Sequence, residues 1–155
     1  MIHSTAGAKI YIGPANSSAA TEAEFAALSY VAIGEVEDLG EWGSEGAEIT
    51  FASVADKHMR RRKGTIDSGV VELVCARDAL DAGQIAARAA ADSHSTHAFR
   101  VEVNDAPEGG TASTFYFLAV VLSARNTFST ADEITRTTFR LGIDGAILEI
   151  PAEAA

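Results

Sequence analysis

The chain has 155 residues, enough for one ordinary hydrophobic core and too few for two, so a single domain over 1–155 is expected. Hydrophobic residues make up 47% and charged residues 22%, which excludes the low-hydrophobicity, high-charge mixture that stays disordered. A formal charge of −10 excludes a general nucleic-acid binder, because that class gains affinity from Lys and Arg displacing counterions from phosphates.

Short β-type runs separated by turn residues dominate the pattern. The first spans 9–12 and is closed by Gly13 and Pro14. A small polar stretch follows, with one helical turn near 22–27, and a second strand is expected over 30–36. From 35 to 48 the chain carries six acidic residues, no basic one, and Gly40, Gly43 and Gly46, which predicts a flexible or extended loop. Strand resumes at 49–52. Charge then reverses, with Lys57, Arg60, Arg61, Arg62 and Lys63 placing five of the twelve basic residues within seven positions.

The run 70–76 alternates as a strand, with Val71, Leu73 and Cys75 on one face. A helix over 78–91 is expected next, with Asp78 as N-cap and Asp81 near the positive end of the helix dipole. Its body is rich in alanine, although Gly83 costs roughly 1 kcal/mol. Leu80, Gly83, Ala87 and Ala91 form a narrow stripe that can lie on a sheet. Phe99, Val101 and Val103 alternate with polar residues, and 104–110 (NDAPEGG) is a turn by its chemistry. The run 114–122 is apolar on both faces, which predicts the central strand or a strand with one face on a partner. Residues 134–143 alternate again, and 146–150 is a last short strand. Strands at hairpin distances around one helix predict an antiparallel β-sandwich or rolled barrel with one flanking helix.

Chemistry-bearing motifs are sparse. Cys75 stands alone, so it can form neither an intramolecular disulfide nor a cysteine zinc site. His94 and His97 are spaced i, i+3, which suits a metal only on a regular helix, and here they lie between a helix end and a strand. No G-x-S-x-G elbow, P-loop or G-x-G-x-x-G motif occurs, and no cofactor or metal is expected. No run approaches the roughly 20 apolar residues of a membrane-spanning helix, and no basic-then-apolar leader opens the chain, so folding in a reducing cytoplasm is the simplest reading. Trp42, alone in a polar glycine-flanked stretch, is either tucked back onto the domain or offered to a partner. The basic cluster 57–63 is a solvated loop, a surface for an acidic patch on another copy, or a phosphate contact.

The order of residues adds a resemblance. The segments KIYIGP (9–14), VAIGEVE (31–37) leading to GEWG (40–43), KGTIDSG (63–69), ARDALDAGQ (76–84), and VNDAP (103–107) followed by TFYF (114–117) together resemble phage tail tube proteins, the major tail proteins of long-tailed, non-contractile phages. The resemblance runs from about residue 9 to 151. It implies a structural virion protein rather than an enzyme: a β-sandwich with a flanking helix, six copies closing into a ring, and rings stacking into a hollow tube for DNA passage. It also implies assembly in the host bacterial cytoplasm, and tape measure and terminator proteins as further partners. The family's long loop reaching a neighbouring subunit would correspond to about 40–69, which puts Glu41, Trp42, Glu45, Lys57, Arg60, Arg61, Arg62 and Lys63 at an interface.

Two alternatives stand beside it. A tail terminator or a secretion-system tube protein shares the sandwich, and a small metal-dependent enzyme or ligand-binding β-barrel would use His94 and His97.

Overall fold

A computed structural model describes residues 2–155. Nine strands and two helices follow one another as β1 (Lys9–Ala15), α1 (Glu22–Ala26), β2 (Val31–Ile33), β3 (Val36–Asp38), β4 (Glu45–Phe51), β5 (Arg60–Asp67), β6 (Val70–Ala76), α2 (Ala82–Ala91), β7 (Thr96–Glu102), β8 (Thr114–Thr127) and β9 (Arg136–Ile150). Seven of the strands form one antiparallel sheet in the order β2-β1-β7-β8-β9-β6-β3, and β4 with β5 forms a separate ribbon.

The sheet has to roll. Strands β2 and β3 occupy its opposite edges, yet only Gly34 and Glu35 separate them along the chain. Three Cα steps of 3.8 Å hold Ile33 and Val36 within about 11 Å of each other. Rolling also brings the two edge strands, each only three residues long, to the same corner.

The helix clasps this corner. The Gly34 amide donates to Asp81 Oδ2 at 3.0 Å, and Gln84 Nε2 donates to the carbonyls of Gly34 (3.1 Å) and Ala76 (2.9 Å). Gln84 Oε1 accepts from the Asp78 amide and from Arg88 Nη2, so this fully buried amide side chain has all its hydrogen-bonding positions used. The Ala76 amide reaches Glu35 O at 2.8 Å, which ties β6 to the same corner.

Strand β8 is the fourth of the seven, as its two-faced apolar run predicts. Phe117, Ala119 and Val121 face the main core, with Ile10, Ile12, Leu73, Phe99, Phe139 and Leu141. Tyr116 and Leu118 face a second, smaller cluster closed by Phe25 of α1, whose ring stacks on Tyr116 at 5.3 Å. The alternation expected in β6, β7 and the first half of β9 is reproduced in their burial.

Several expectations need correction. The strand expected over 30–36 is two strands, because Glu35 adopts φ +56° and Gly34 leaves the ladder to bond α2. The helix begins at Ala82 rather than 78: Asp81 is its N-cap, accepting from the Gln84 amide, while Asp78 makes a turn with the Leu80 amide. Leu80 therefore lies outside the helical stripe and is exposed. The helical turn expected near 22–27 is present as the five-residue α1, capped by Thr21. The two strands expected at 134–143 and 146–150 are one, β9. Finally, 45–48 and 60–67, expected within a long loop, join the strand expected at 49–52 to form the β4–β5 ribbon.

Candidate functional site

In the β4–β5 ribbon no side chain of either strand is buried, and only Gly46 and Gly64 are even partly covered. Its backbone is nonetheless regular. Glu48 pairs with Lys63, Ile49 with Arg62, Thr50 with Arg61 and Phe51 with Arg60, and one irregularity falls between Gly46 and Glu48. Opposed residues share a face, so Ile49, Phe51, Arg60 and Arg62 form one side, and Glu48, Thr50, Arg61 and Lys63 the other. The tip connecting the strands adds Val54 and Met59. Ile49, Phe51, Val54, Met59 and Ile66 are each more than half exposed.

The ribbon also concentrates positive charge. Residues 45–67 hold five basic and four acidic side chains, a net of +1, which leaves −11 on the rest of the chain. Arg61 bridges Glu48 at 2.8 Å and Arg60 bridges Asp56 at 3.1 Å, both in solvent, where such pairs contribute little. Among the described residues, Lys57, Arg62 and Lys63 have no carboxylate at ion-pair distance.

At the root of the ribbon the chain turns back to the body. Trp42 is half-buried, its ring edge-on to Phe115 (centroids 5.4 Å apart, 88°) and tilted on Phe117 (5.5 Å). Of the two sequence readings, the tucked one describes this chain, and the same side chain forms one wall of an open, largely apolar groove of about 530 Å³. Leu39, Val101, Val103 and Phe115 line the groove with it. Glu41 lies on the groove's rim and is exposed, as is Glu45 at the start of β4. Of the eight residues expected at an interface, six (Glu45, Lys57, Arg60, Arg61, Arg62 and Lys63) belong to the ribbon or its tip, and Glu41 and Trp42 to its root. The sequence did not reveal the groove, because its walls come from the segment before β1, the segment after β3, the end of β7 and the start of β8.

His97 is half-buried with Nδ1 3.2 Å from Ser95 O, while His94 is exposed in the preceding turn. No group of three or more His, Cys, Asp or Glu side chains placed to hold a metal ion occurs among the described residues. Burial pushes the Cys75 thiol up to about 12. Arg100 sits over the rings of Tyr11 (4.1 Å) and Tyr30 (4.9 Å), joining β1 and β7 to the β2 approach. Burial pushes the Tyr30 phenol up to about 12 as well, with Tyr116 adding to the rise and Arg100 opposing it, and its hydroxyl donates to Phe25 O. No helix of the described residues is long and apolar enough to cross a membrane.

No protein-family model matches this chain, and no curated protein matches it. Solved structures do. The six-fold symmetrised baseplate of the anti-feeding prophage contains a chain that aligns with a TM-score of 0.69 at 8% identity, covering 97% of both chains. The SPP1 tail tube aligns with a TM-score of 0.64 at 17% identity, covering 96% of this chain and 78% of that one. An Hcp protein aligns at 0.47 and 14% identity, a likeness too low to argue from. At such identities shared architecture is what the likeness establishes: this chain has the tail-tube fold.

Proposed function

We propose that the protein is a structural subunit of a phage tail tube, six copies closing into a ring and rings stacking into a hollow tube through which genomic DNA passes. The observation that carries this reading is the β4–β5 ribbon, which buries none of its own side chains within a fold shared with the SPP1 tail tube. An isolated two-stranded ribbon is marginal in water, so its regular pairing and exposed Ile49, Phe51 and Met59 are accounted for by burial on a neighbouring copy. On this reading Glu41, Trp42, Glu45, Lys57, Arg60, Arg61, Arg62 and Lys63 lie at or beside subunit contacts.

The charge balance supports the same reading. A duplex carries one charge per roughly 1.7 Å, and a basic wall would hold it by counterion release. A body of net −11 outside the ribbon repels DNA instead, so DNA can slide past it. The tube would be part of the virion, assembled in the host cell cytoplasm and completed by tape measure and terminator proteins.

Negative-stain electron microscopy of the purified protein at increasing concentration tests this. Rings and stacked tubes are expected. A strictly monomeric protein at high concentration would remove the tube reading, and rings that never stack would favour a terminator.

A further inference from the structure

The ribbon and the groove beside Trp42 are complementary in two independent respects. The tip carries apolar side chains with nothing to cover them, Val54 and Met59, next to an unpaired Lys57. The groove offers half-buried apolar walls from Leu39, Trp42, Val103 and Phe115, flanked by His3, Ser4 and Thr5 of the N-terminal segment, with Glu41 on its rim and Asp38 beside it in the adjoining hollow. Neither acid has an ion-pair partner among the described residues. Apolar contact excludes water, and opposite rim charges set orientation.

A chain cannot bring its own tip to its own groove. Trp42 lies just before β4, and the strand runs away from it for six residue steps from Glu45 to Phe51. At about 3.4 Å per residue the tip stands roughly 20 Å from the root.

We propose that the Trp42 groove is the acceptor for the ribbon tip of a second copy of this chain, Val54 and Met59 entering the apolar walls while Lys57 meets Glu41 and Asp38. This rests on the tube-subunit reading for its partner, a second copy, and adds to it the place where the ribbon lands. Donor and acceptor are different patches of one surface, so the contact is heterologous. Such contacts generate rings when the rotation closes and open filaments when it does not.

Cysteine pairs give the direct test. A Val54→Cys, Val103→Cys chain, oxidised under assembly conditions, is expected to give a ladder of cross-linked oligomers, since roughly 20 Å forbids closure within one chain. Cys75 is buried and stays silent. A Val54→Cys, Ile85→Cys control, with its second thiol on the exposed side of α2, is expected to give none. Rings or tubes without a groove ladder, or equal ladders from both pairs, overturn the groove assignment and leave the tube reading standing. A groove ladder without rings or tubes keeps the docking and removes the tube reading; neither ladder nor rings removes both.

A charge exchange decides the matter independently of the thiols. Lys57→Glu and Glu41→Lys are each expected to raise the concentration needed for assembly about tenfold, and the double variant to return within about threefold of the parent. Additive losses in the double variant would place Lys57 and Glu41 on separate contacts and overturn the proposal.

Discussion

Two antiparallel pairs in this molecule obey the same backbone rules and meet opposite ends. In β8–β9, Phe117, Ala119, Phe139 and Leu141 are fully buried and the pair anchors the core. In β4–β5 the register breaks once, against twice in the longer β8–β9 pair, yet no side chain is buried. Alternation and β-branched or aromatic residues specify pleated, paired backbone; they do not say what lies over the resulting face. A strand pair that folds without covering itself points to cover from outside the chain.

Substitutions can break or sharpen this contrast. The largest effect belongs to the core: Phe117→Ala removes a fully buried ring that contacts Phe99 and Trp42, and a loss of about 3–5 kcal/mol is expected in urea unfolding. Gly83→Ala follows, with a loss of about 2–3 kcal/mol. A methyl there would stand 2.1 Å from Ala32 O and 2.5 Å from Ile33 Cα, so close packing outweighs the roughly 1 kcal/mol that alanine gains in an open helix. A stabilised Gly83→Ala protein would show that α2 does not sit tightly on β2.

The third effect appears only in alkali. Burial raises the Cys75 thiol from near 9 to about 12 and the Tyr30 phenol from near 10 to about 12, so the folded chain holds these protons longer than the unfolded one. Unfolding then releases protons, and stability, fully present below pH 9, should fall as the pH climbs towards 12. Cys75→Ala should flatten part of that slope in thermal melts taken between pH 8 and 11, whereas an unchanged slope would assign it to other groups. The smallest effect on stability belongs to the ribbon: joint reversal of Arg60, Arg61 and Arg62 to Glu is expected to change unfolding free energy by no more than about 0.5 kcal/mol. Assembly should nevertheless weaken. Unaltered assembly with a normal circular dichroism spectrum would separate the ribbon from the subunit contacts.

Much of the fold was legible because one-dimensional periodicity records burial directly. The two-faced run 114–122 pointed to a central strand or a strand with one face on a partner, and the structure gives the central place; alternation at 70–76 and within 134–143 marked core faces that the structure reproduces. What escaped were features decided by tertiary bonds. The break at Gly34 and Glu35 depends on Asp81 and Gln84, 47 and 50 residues away from Gly34, and no local pattern announces it. The helix start moved from 78 to 82 because two aspartates competed to cap it and Asp81 also serves the corner. The site was legible as charge but not as shape: the blocks of opposite sign stood out, while glycines and acids disguised the first half of β4 as a loop and the groove draws on distant strands.

The four consecutive cations of β5 carry a consequence for the chain before it finds its place. A ribbon open along both margins invites stacking with others of its kind into fibrils. Were two β5 strands to align in parallel register about 5 Å apart, four cations would face four, each pair repelling by roughly 0.8 kcal/mol even with the dielectric of bulk water. The segment 60–63 thus acts as a gatekeeper, deterring indiscriminate aggregation while leaving an acidic surface free to approach.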